Sequence, residues 1–223
     1  MPASRTSSTI RGVLFDLDGT LLDTYELISA SFHHCMVDVL GEDRSMDIFD
    51  SMLGQPLAVQ LAAYESDPAV VEALLASYRA HNAQAQYELL HGFEGMSEAL
   101  QVLRDEGYAL GVATAKLHDP AASNLKIAGI LDMFDCIVGA DNVARSKPEP
   151  DSVLEGARQL GLDPAACAYV GDSPFDILAG NAAGSPTIAV HWGQHPLERL
   201  LAAGPTLECH TPADLPEVVR SLG

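Results

Sequence analysis

From residue 93 onward, short apolar segments alternate with segments of helical periodicity, and this alternation limits the possible folds more than any other feature. Segments 108–114, 136–138, 168–170 and 186–190 predict strands, and segments 96–103, 120–128, 153–160, 175–183 and 215–222 predict helices. A further apolar strand is predicted at 12–15. Strands that alternate with helices form a parallel sheet with helices on both faces. The sequence therefore predicts an α/β protein with a doubly wound, Rossmann-like parallel sheet.

Residues 24–91 interrupt this alternation with a purely helical pattern. Apolar residues recur at helical spacing in two stretches, one around Phe32 and one around Leu74, and Gly and Pro residues separate these stretches. The pattern predicts an α-helical cap domain at 24–91, inserted into a core domain made of 10–23 and 92–223. Residues 1–9 are rich in Ser and Thr, and we expect them to form a disordered tail.

The chain of 223 residues carries 31 acidic against 12 basic residues, which gives a formal net charge of −19. Nucleic acids and anionic membranes attract basic surfaces, so this charge disfavours both as partners. No apolar run reaches the ~20 residues that a transmembrane helix needs, and the N-terminal segment lacks the apolar centre of a secretory signal. The four cysteines are far apart, which favours free thiols in a reducing compartment. We therefore expect a cytoplasmic protein, and the oligomeric state stays open.

Polar and charged residues follow the predicted strands at the points where the strands end. In open α/β sheets, the carboxyl ends of the strands meet at one edge, where ligands bind. Four acids, a hydroxyl group and two of the three lysines of the chain should therefore converge there. These residues are Asp16 and Asp18 after the first strand, Thr114 and Lys116 after the second, Lys147 after the third, and Asp172 and Asp176 after the fourth.

Clustered carboxylates repel one another and need a cation nearby if they are all to stay ionised. Oxygen ligands without paired His or Cys select a hard ion, so Mg²⁺ is favoured over Zn²⁺. A Mg²⁺ site beside a lysine and a hydroxyl group suits a phosphoryl group, whose oxygens need neutralising during transfer. An aspartate can itself accept the phosphoryl group, and a second acid can protonate the leaving oxygen. The residues indicate phosphoryl transfer.

Four segments resemble the motifs of one known family, the haloacid dehalogenase superfamily. The segment FDLDGTL at 15–21 resembles the first motif, and Thr114 resembles the second. Lys147 in KPEP resembles the third motif, and GDSPFD at 171–176 resembles the fourth. The resemblance covers about residues 10–220. Within the family, the sequence is most similar to phosphoglycolate phosphatases and the related small pyrophosphatases. The helical cap of that family, inserted after the first motif, matches the segment 24–91.

The resemblance implies a role for each matching residue. Asp16 is expected to be the nucleophile and Asp18 the general acid and base. Thr114 is expected to hold the phosphoryl group, while Lys147 neutralises that group and orients Asp16.

The resemblance also implies the ligands of the expected Mg²⁺ cofactor. The carboxylate of Asp16, the backbone carbonyl of Asp18 and the carboxylate of Asp172 are expected to bind the ion, with Asp176 in the outer shell. Substrate contacts are expected along the motif loops and the cap, where Arg79 is one of only two cations. The candidate substrate residues are Gly19, Thr20, Gln55, Arg79, Ala115 and Lys116. Ala115 stands where many relatives have Asn, and Ala85 and Gln86 stand where several pyrophosphatases have a His-Asp pair.

The favoured function is a Mg²⁺-dependent phosphatase for a small phosphomonoester, similar to phosphoglycolate phosphatases, which acts through an aspartyl-phosphate. Inorganic pyrophosphatase activity is the nearest alternative, and a sugar-phosphate mutase is a more distant one. A signalling receiver that accepts a phosphoryl group belongs to a different class, but receivers are about half as long and have no cap. A dehalogenase is disfavoured, because the second acid at Asp18 suits phosphoryl chemistry. The expected partner is therefore a small phosphorylated metabolite.

Overall fold

A computed structural model describes residues 9–223; residues 1–8 of the expected disordered tail lie outside it. Its centre is a six-stranded parallel sheet. The strands are β1 (Gly12–Phe15), β4 (Ala109–Ala113), β5 (Cys136–Val138), β6 (Cys167–Gly171), β7 (Thr187–Val190) and β8 (Leu207–Cys209). They lie side by side in the order β5-β4-β1-β6-β7-β8. The predicted doubly wound α/β fold is confirmed.

Helices cover both faces of this sheet. Successive side chains of a strand point to opposite faces, so each strand packs apolar side chains against helices on both sides. In β1, Val13 and Phe15 pack into one apolar cluster, together with Leu100, while Leu14 packs into another, with Val153. All five of these side chains are fully buried. The helices of this part are α5 (Met96–Asp105), α6 (His118–Ile127), α7 (Asp151–Gln159), α8 (Pro174–Ala183), α9 (Leu197–Ala202) and α10 (Leu215–Arg220).

Two elements of the core were not predicted, the edge strand β8 and the helix α9 before it. The strand has only three residues, of which Glu208 is exposed, and the helix has only six residues. Elements this short carry too few apolar positions for a recognisable period. The predicted strand at 108–114 is one residue longer at each end than β4.

The helical insertion, residues 24–91, contains four helices with an apolar cluster of their own. The two long helices, α1 (Tyr25–Leu40) and α4 (Pro68–Leu89), pack against each other. Phe32, Phe49 and Leu74 belong to the apolar cluster. Asp67 caps α4, since its carboxylate accepts a hydrogen bond from the backbone N–H of Ala69. The helices are α1 (Tyr25–Leu40), α2 (Asp47–Ser51), α3 (Leu57–Ala62) and α4 (Pro68–Leu89).

The insertion leaves and rejoins the core through a short antiparallel pair of strands, β2 (Leu22–Asp23) and β3 (His91–Gly92). Its two connections therefore lie side by side, close to the end of β1. Within residues 9–223, no helix is both long enough and apolar enough to cross a membrane.

Candidate active site

Asp16 lies at the carboxyl end of β1, the strand at the centre of the sheet. Its backbone N–H continues the sheet pairing by donating to Val170 O over 2.9 Å. The chain then turns back through Gly19, which has a φ of +79°, a conformation that favours glycine. A Cβ atom at Gly19 would come within 2.5 Å of the Asp172 carboxylate. The turn therefore brings the backbone of the first predicted motif directly against the fourth.

Lys147 lies between two buried carboxylates. Its Nζ donates to Asp16 Oδ1 over 2.7 Å and to Asp176 Oδ1 over 2.6 Å, and all three side chains are at least 96% buried. Burial works against the charged ammonium, but the two carboxylates outweigh it and raise the pKa of Lys147. The ring of Tyr169 packs beneath the Lys147 ammonium, and its hydroxyl donates a hydrogen bond to Asp176 over 3.1 Å. Lys147 is therefore held charged and in a fixed position beside Asp16.

Asp172 follows β6 and is also buried. The Thr20 hydroxyl donates to its Oδ1 over 2.9 Å, and the backbone N–H of Gln194 donates to its Oδ2 over 3.4 Å. Burial raises the pKa of Asp172 well above the ordinary range, and repulsion from Asp176 and Asp16 adds to this effect. Burial, opposed by Lys147, likewise raises the pKa of Asp16 to about 7. Burial therefore disfavours the ionised form of both carboxylates, and repulsion from neighbouring carboxylates adds to this penalty.

The three carboxylates of Asp16, Asp172 and Asp176 fit a divalent cation. One oxygen from each lies within 4.8 Å of the others, and Lys147 offers one positive charge against three negative charges. Asp176 has little free capacity for a ligand bond, because its Oδ1 accepts from Lys147 and its Oδ2 accepts from the Ser173 N–H over 3.0 Å. Asp16 and Asp172 also line the cavity described below, whereas Asp176 does not, so they are the better direct ligands. Oxygen donors of this kind suit Mg²⁺.

Asp18 belongs to a second group of hydrogen bonds, which reaches the insertion. Lys116 Nζ donates to Asp18 Oδ1 and to Asn124 Oδ1, each over 2.7 Å. The side-chain amide of Asn124 donates to Gln86 Oε1 over 2.8 Å. A continuous line of polar contacts thus connects the expected general acid with helix α4.

A cavity of about 540 Å³ lies between the core and the insertion, with the carboxylates at its base. Most of the predicted site residues line it, while Lys147 and Asp176 are buried beneath it. Thr20, expected to contact substrate, is instead fully buried, and its hydroxyl orients Asp172. The predicted residues that line the cavity are Asp16, Asp18, Gly19, Gln55, Arg79, Thr114, Ala115, Lys116 and Asp172.

The loop between α2 and α3 closes one side of this cavity by contacting the core. The side-chain amide of Gln55 donates to the Lys147 carbonyl over 2.6 Å, and His195 Nε2 contacts the Leu53 carbonyl at 2.9 Å. Between them, Gly54 has a φ of +92°, and a Cβ atom there would meet Ser173 Oγ at 2.6 Å. The loop therefore approaches the core as closely as a glycine backbone allows.

Four residues around the site escaped the sequence analysis as contributors. Tyr169, in a predicted buried strand, could have been noticed because a buried tyrosine hydroxyl needs a hydrogen-bond partner. Gln86 was noted only as a departure from relatives, and nothing in the sequence separates Asn124 from other helical polar residues. Gln194 acts through its backbone N–H, which carries no sequence signal.

Comparisons with known proteins identify the family of this chain. The family model described as haloacid dehalogenase-like hydrolase matches residues 13–190. The pyrophosphatase PpaX of Bacillus pumilus (strain SAFR-032) is 36% identical over 212 residues, which cover 95% of this chain and 97% of that protein. The probable phosphatase IndB of Dickeya dadantii (strain 3937) is 35% identical, over 86% of each chain.

Solved structures show the same fold. A crystal structure described as a predicted phosphoglycolate phosphatase from Haemophilus somnus 129pt superposes with a TM-score of 0.84. The two chains are 21% identical, and the superposition covers 94% of this chain and 97% of that one. The family match and the relatives over most of the chain establish that this protein is an enzyme, a hydrolase of the haloacid dehalogenase-like family with phosphatases as its relatives.

Proposed function

We propose that this protein is a Mg²⁺-dependent phosphatase that hydrolyses a small phosphomonoester through an aspartyl-phosphate intermediate. The observation that carries the proposal is the environment of Asp16. Lys147 fixes one of its carboxylate oxygens, and Oδ2 has no hydrogen-bond partner among the described residues. Asp16 also lines the cavity. A carboxylate held in this way can attack a phosphorus atom bound at the base of the cavity.

In the first step, an oxygen of Asp16 forms a bond to phosphorus while the bond between phosphorus and the ester oxygen breaks. Asp18 donates its proton to that oxygen, and the alcohol leaves. Thr114 lines the cavity beside Asp16, where its hydroxyl can contact the phosphoryl group. Lys147 keeps its positive charge beside the reacting carboxylate throughout. This charge stabilises the negative charge on the phosphoryl oxygens.

In the second step, the ionised Asp18 accepts a proton from a water molecule whose oxygen attacks phosphorus. The bond to Asp16 breaks, inorganic phosphate leaves, and both aspartates return to their starting states. The insertion covers the site during this cycle, since Gln55 and Gln86 both contact the core. Exclusion of bulk water strengthens the electrostatic contacts at the reacting group.

Asp16, Asp172 and the backbone carbonyl of Asp18 would hold Mg²⁺, with Asp176 positioned behind them. The bound ion supplies positive charge that neutralises the phosphoryl oxygens. The close approach of three buried carboxylates to a single ammonium, that of Lys147, supports this assignment, because the negative charges outnumber the positive one.

Inorganic pyrophosphate is the second candidate substrate, and the similarity to the pyrophosphatase PpaX of Bacillus pumilus favours it. The receiver-like alternative is less well supported, because the cavity between core and insertion can enclose a substrate. A phosphorylated metabolite in the cytoplasm is the expected partner, and the four buried free cysteines support a reducing location.

The test is phosphate release from a panel of phosphomonoesters and pyrophosphate, with Mg²⁺ and with EDTA. We expect turnover that needs Mg²⁺ and falls at least ~1000-fold in Asp16→Asn, since the amide is a poor nucleophile. Asp132→Asn, at an exposed aspartate remote in sequence from the motifs, is the matched control. Full activity in Asp16→Asn would overturn the aspartyl-phosphate mechanism.

Thermal unfolding tests the ion without relying on activity. Mg²⁺ should raise the melting temperature of the unaltered protein, because it binds the folded state. Asp172→Asn should be more stable than the unaltered protein in EDTA, since it removes a repelling charge, and it should lose the response to Mg²⁺. An undiminished Mg²⁺ response in Asp172→Asn would contradict the assignment.

A further inference from the structure

The insertion contributes an apolar wall to the cavity above the carboxylates. Tyr25 and Ile28 on α1, Phe49 on α2, and Leu53 and Leu57 around the closing loop all line it. These side chains also belong to, or pack against, the apolar cluster of the insertion. They are therefore held in place by the fold, and the surface that faces the leaving group is preformed and apolar.

Positive charge is scarce on this wall. Arg79 is the single charged side chain that residues 24–91 contribute to the cavity lining. The core contributes Lys116, but its ammonium already bonds Asp18 and Asn124. Lys147 lies beneath the cavity, between Asp16 and Asp176. A second phosphoryl group would therefore exchange its water for apolar side chains with Arg79 as the single cation of this wall to compensate it, and such a loss of water is costly for an anion.

Two polar atoms in the wall are buried without a partner among the residues that the structure describes. They are Gln60 Oε1 and Thr24 Oγ1, in side chains that both line the cavity. Gln60 Nε2 donates to the Gln55 carbonyl over 2.6 Å, which determines where its Oε1 points. Buried acceptors in folded proteins are nearly always satisfied. Gln60 Oε1 therefore has free capacity to accept a hydrogen bond, in a side chain that lines the cavity.

We infer that the alcohol released by this enzyme is uncharged, with an apolar body and at least one O–H or N–H group that donates to Gln60. This inference rests on the proposed phosphatase activity and narrows it to one class of substrate. It places pyrophosphate, and esters whose leaving group carries a second negative charge, below neutral phosphomonoesters of comparable size.

The first experiment compares kcat/KM for benzyl phosphate, ethyl phosphate, phosphoglycolate and pyrophosphate with the Mg²⁺-loaded enzyme. Benzyl alcohol and ethanol have similar acidity, so a difference between their esters reports contacts with the wall and not leaving-group chemistry. We expect benzyl phosphate to exceed each of the other three roughly tenfold or more, as apolar contacts of this size allow.

The outcomes separate the inference from the function on which it rests. Equal values for benzyl and ethyl phosphate, or a higher value for pyrophosphate or phosphoglycolate, would overturn the inference while leaving the phosphatase in place. No Mg²⁺-dependent phosphate release from any compound would contradict the proposed function itself.

A pair of variants on helix α1 tests the apolar wall directly. Ile28→Ala removes a side chain that lines the cavity, whereas Val37→Ala makes a similar truncation at a position on the same helix that is 53% exposed. We expect Ile28→Ala to lower the ratio of kcat/KM for benzyl over ethyl phosphate at least ~3-fold. The ratio should not change in Val37→Ala, and an unchanged ratio in Ile28→Ala would contradict the inference.

The hydrogen-bond donor is tested with the three positional isomers of (hydroxymethyl)benzyl phosphate. The best isomer should exceed benzyl phosphate about fivefold, the size of one net hydrogen bond. Gln60→Met keeps the volume of the side chain and removes the acceptor, so this advantage should disappear. The donor requirement is wrong if no isomer exceeds benzyl phosphate, or if Gln60→Met keeps the advantage.

Discussion

The side-chain amide of Asn124 in the core donates a 2.8 Å hydrogen bond to the side-chain oxygen of Gln86 in the insertion. Asn124 turns its own oxygen to Lys116, which in turn bonds Asp18. The position of helix α4 is thereby connected to the ammonium that holds the expected general acid. The packing of the insertion against the core and the orientation of Asp18 therefore depend on one network of hydrogen bonds.

Gln86→Ala should weaken substrate binding, because it removes the contact between α4 and α6 and leaves the Asn124 amide without its acceptor. A lost hydrogen bond of this kind costs about 1 kcal/mol, so we expect KM to rise roughly fivefold, with a smaller fall in kcat. Steady-state kinetics on the best phosphomonoester measures both constants.

Gln84→Ala is the matched control, since Gln84 lies on the same helix but is exposed to solvent. It should leave both constants unchanged. Identical kinetics for Gln86→Ala and the unaltered enzyme would show that the contact with Asn124 has no part in turnover.

Gly54→Ala should impair the closing loop, because the new Cβ would meet Ser173 Oγ at 2.6 Å. Gly41→Ala provides a close control within the insertion. Gly41 also has a positive φ, of +74°, but apart from Gly41 itself and its two chain neighbours no residue has an atom within 4 Å of its Cβ position. Both variants should lose about 1 kcal/mol of stability from the backbone conformation, whereas only Gly54→Ala should raise KM.

Chemical denaturation and steady-state kinetics together decide this prediction. A similar KM in both glycine variants would mean that the close approach of the loop to the core does not matter for binding. A KM for Gly54→Ala that is several times higher, at comparable stability, is the expected result.

His195 should make the folded state sensitive to mild acid. Burial lowers the pKa of His195 below its ordinary value of 6.5. As the pH falls, the unfolded chain therefore binds a proton before the folded protein does, and stability is lost below about pH 6.5. The melting temperature of His195→Gln should fall less between pH 7.5 and 5.5 than that of the unaltered protein, by roughly 2 °C.

Glutamine can still donate to the Leu53 carbonyl, so His195→Gln removes the titration while it keeps a hydrogen bond. His91→Gln, at an exposed histidine of β3, should show the same acid response as the unaltered protein. Parallel pH profiles for all three proteins would refute a role for His195 in acid sensitivity.

The architecture of the core follows from the sequence because its signals are local. Each strand that was predicted is bounded by polar or Gly/Pro residues, and the convergence of Asp16 and Asp172 follows from parallel strands ending at one edge. β8 was missed because its pairing depends on β7. A strand of three residues gains its stability from such a neighbour and shows little pattern of its own.

The contents of the cavity were predictable only in part. The motif residues at the base of the cavity could be predicted from the sequence. The contacts that the insertion makes could not, because they depend on how the insertion packs against the core. Gln86 and Asn124 are polar residues on helices, and no periodicity shows that they face each other. Thr20 was expected at the substrate, but its hydroxyl lies behind the site on Asp172, a direction that spacing does not reveal.

The position of β1 in the middle of the sheet has a consequence for synthesis on the ribosome. Gly12 pairs with Ala109 on one side and with Cys167 on the other, so the strand that leads into Asp16 is synthesised early but gains its two neighbouring strands late. The insertion has an apolar cluster of its own, and all residues of that cluster are available once residue 91 has left the ribosome. Contacts between residues close in sequence form before contacts between distant ones. A ribosome-bound chain would therefore carry a folded insertion before β4 and β6, the strands that flank β1, have been synthesised.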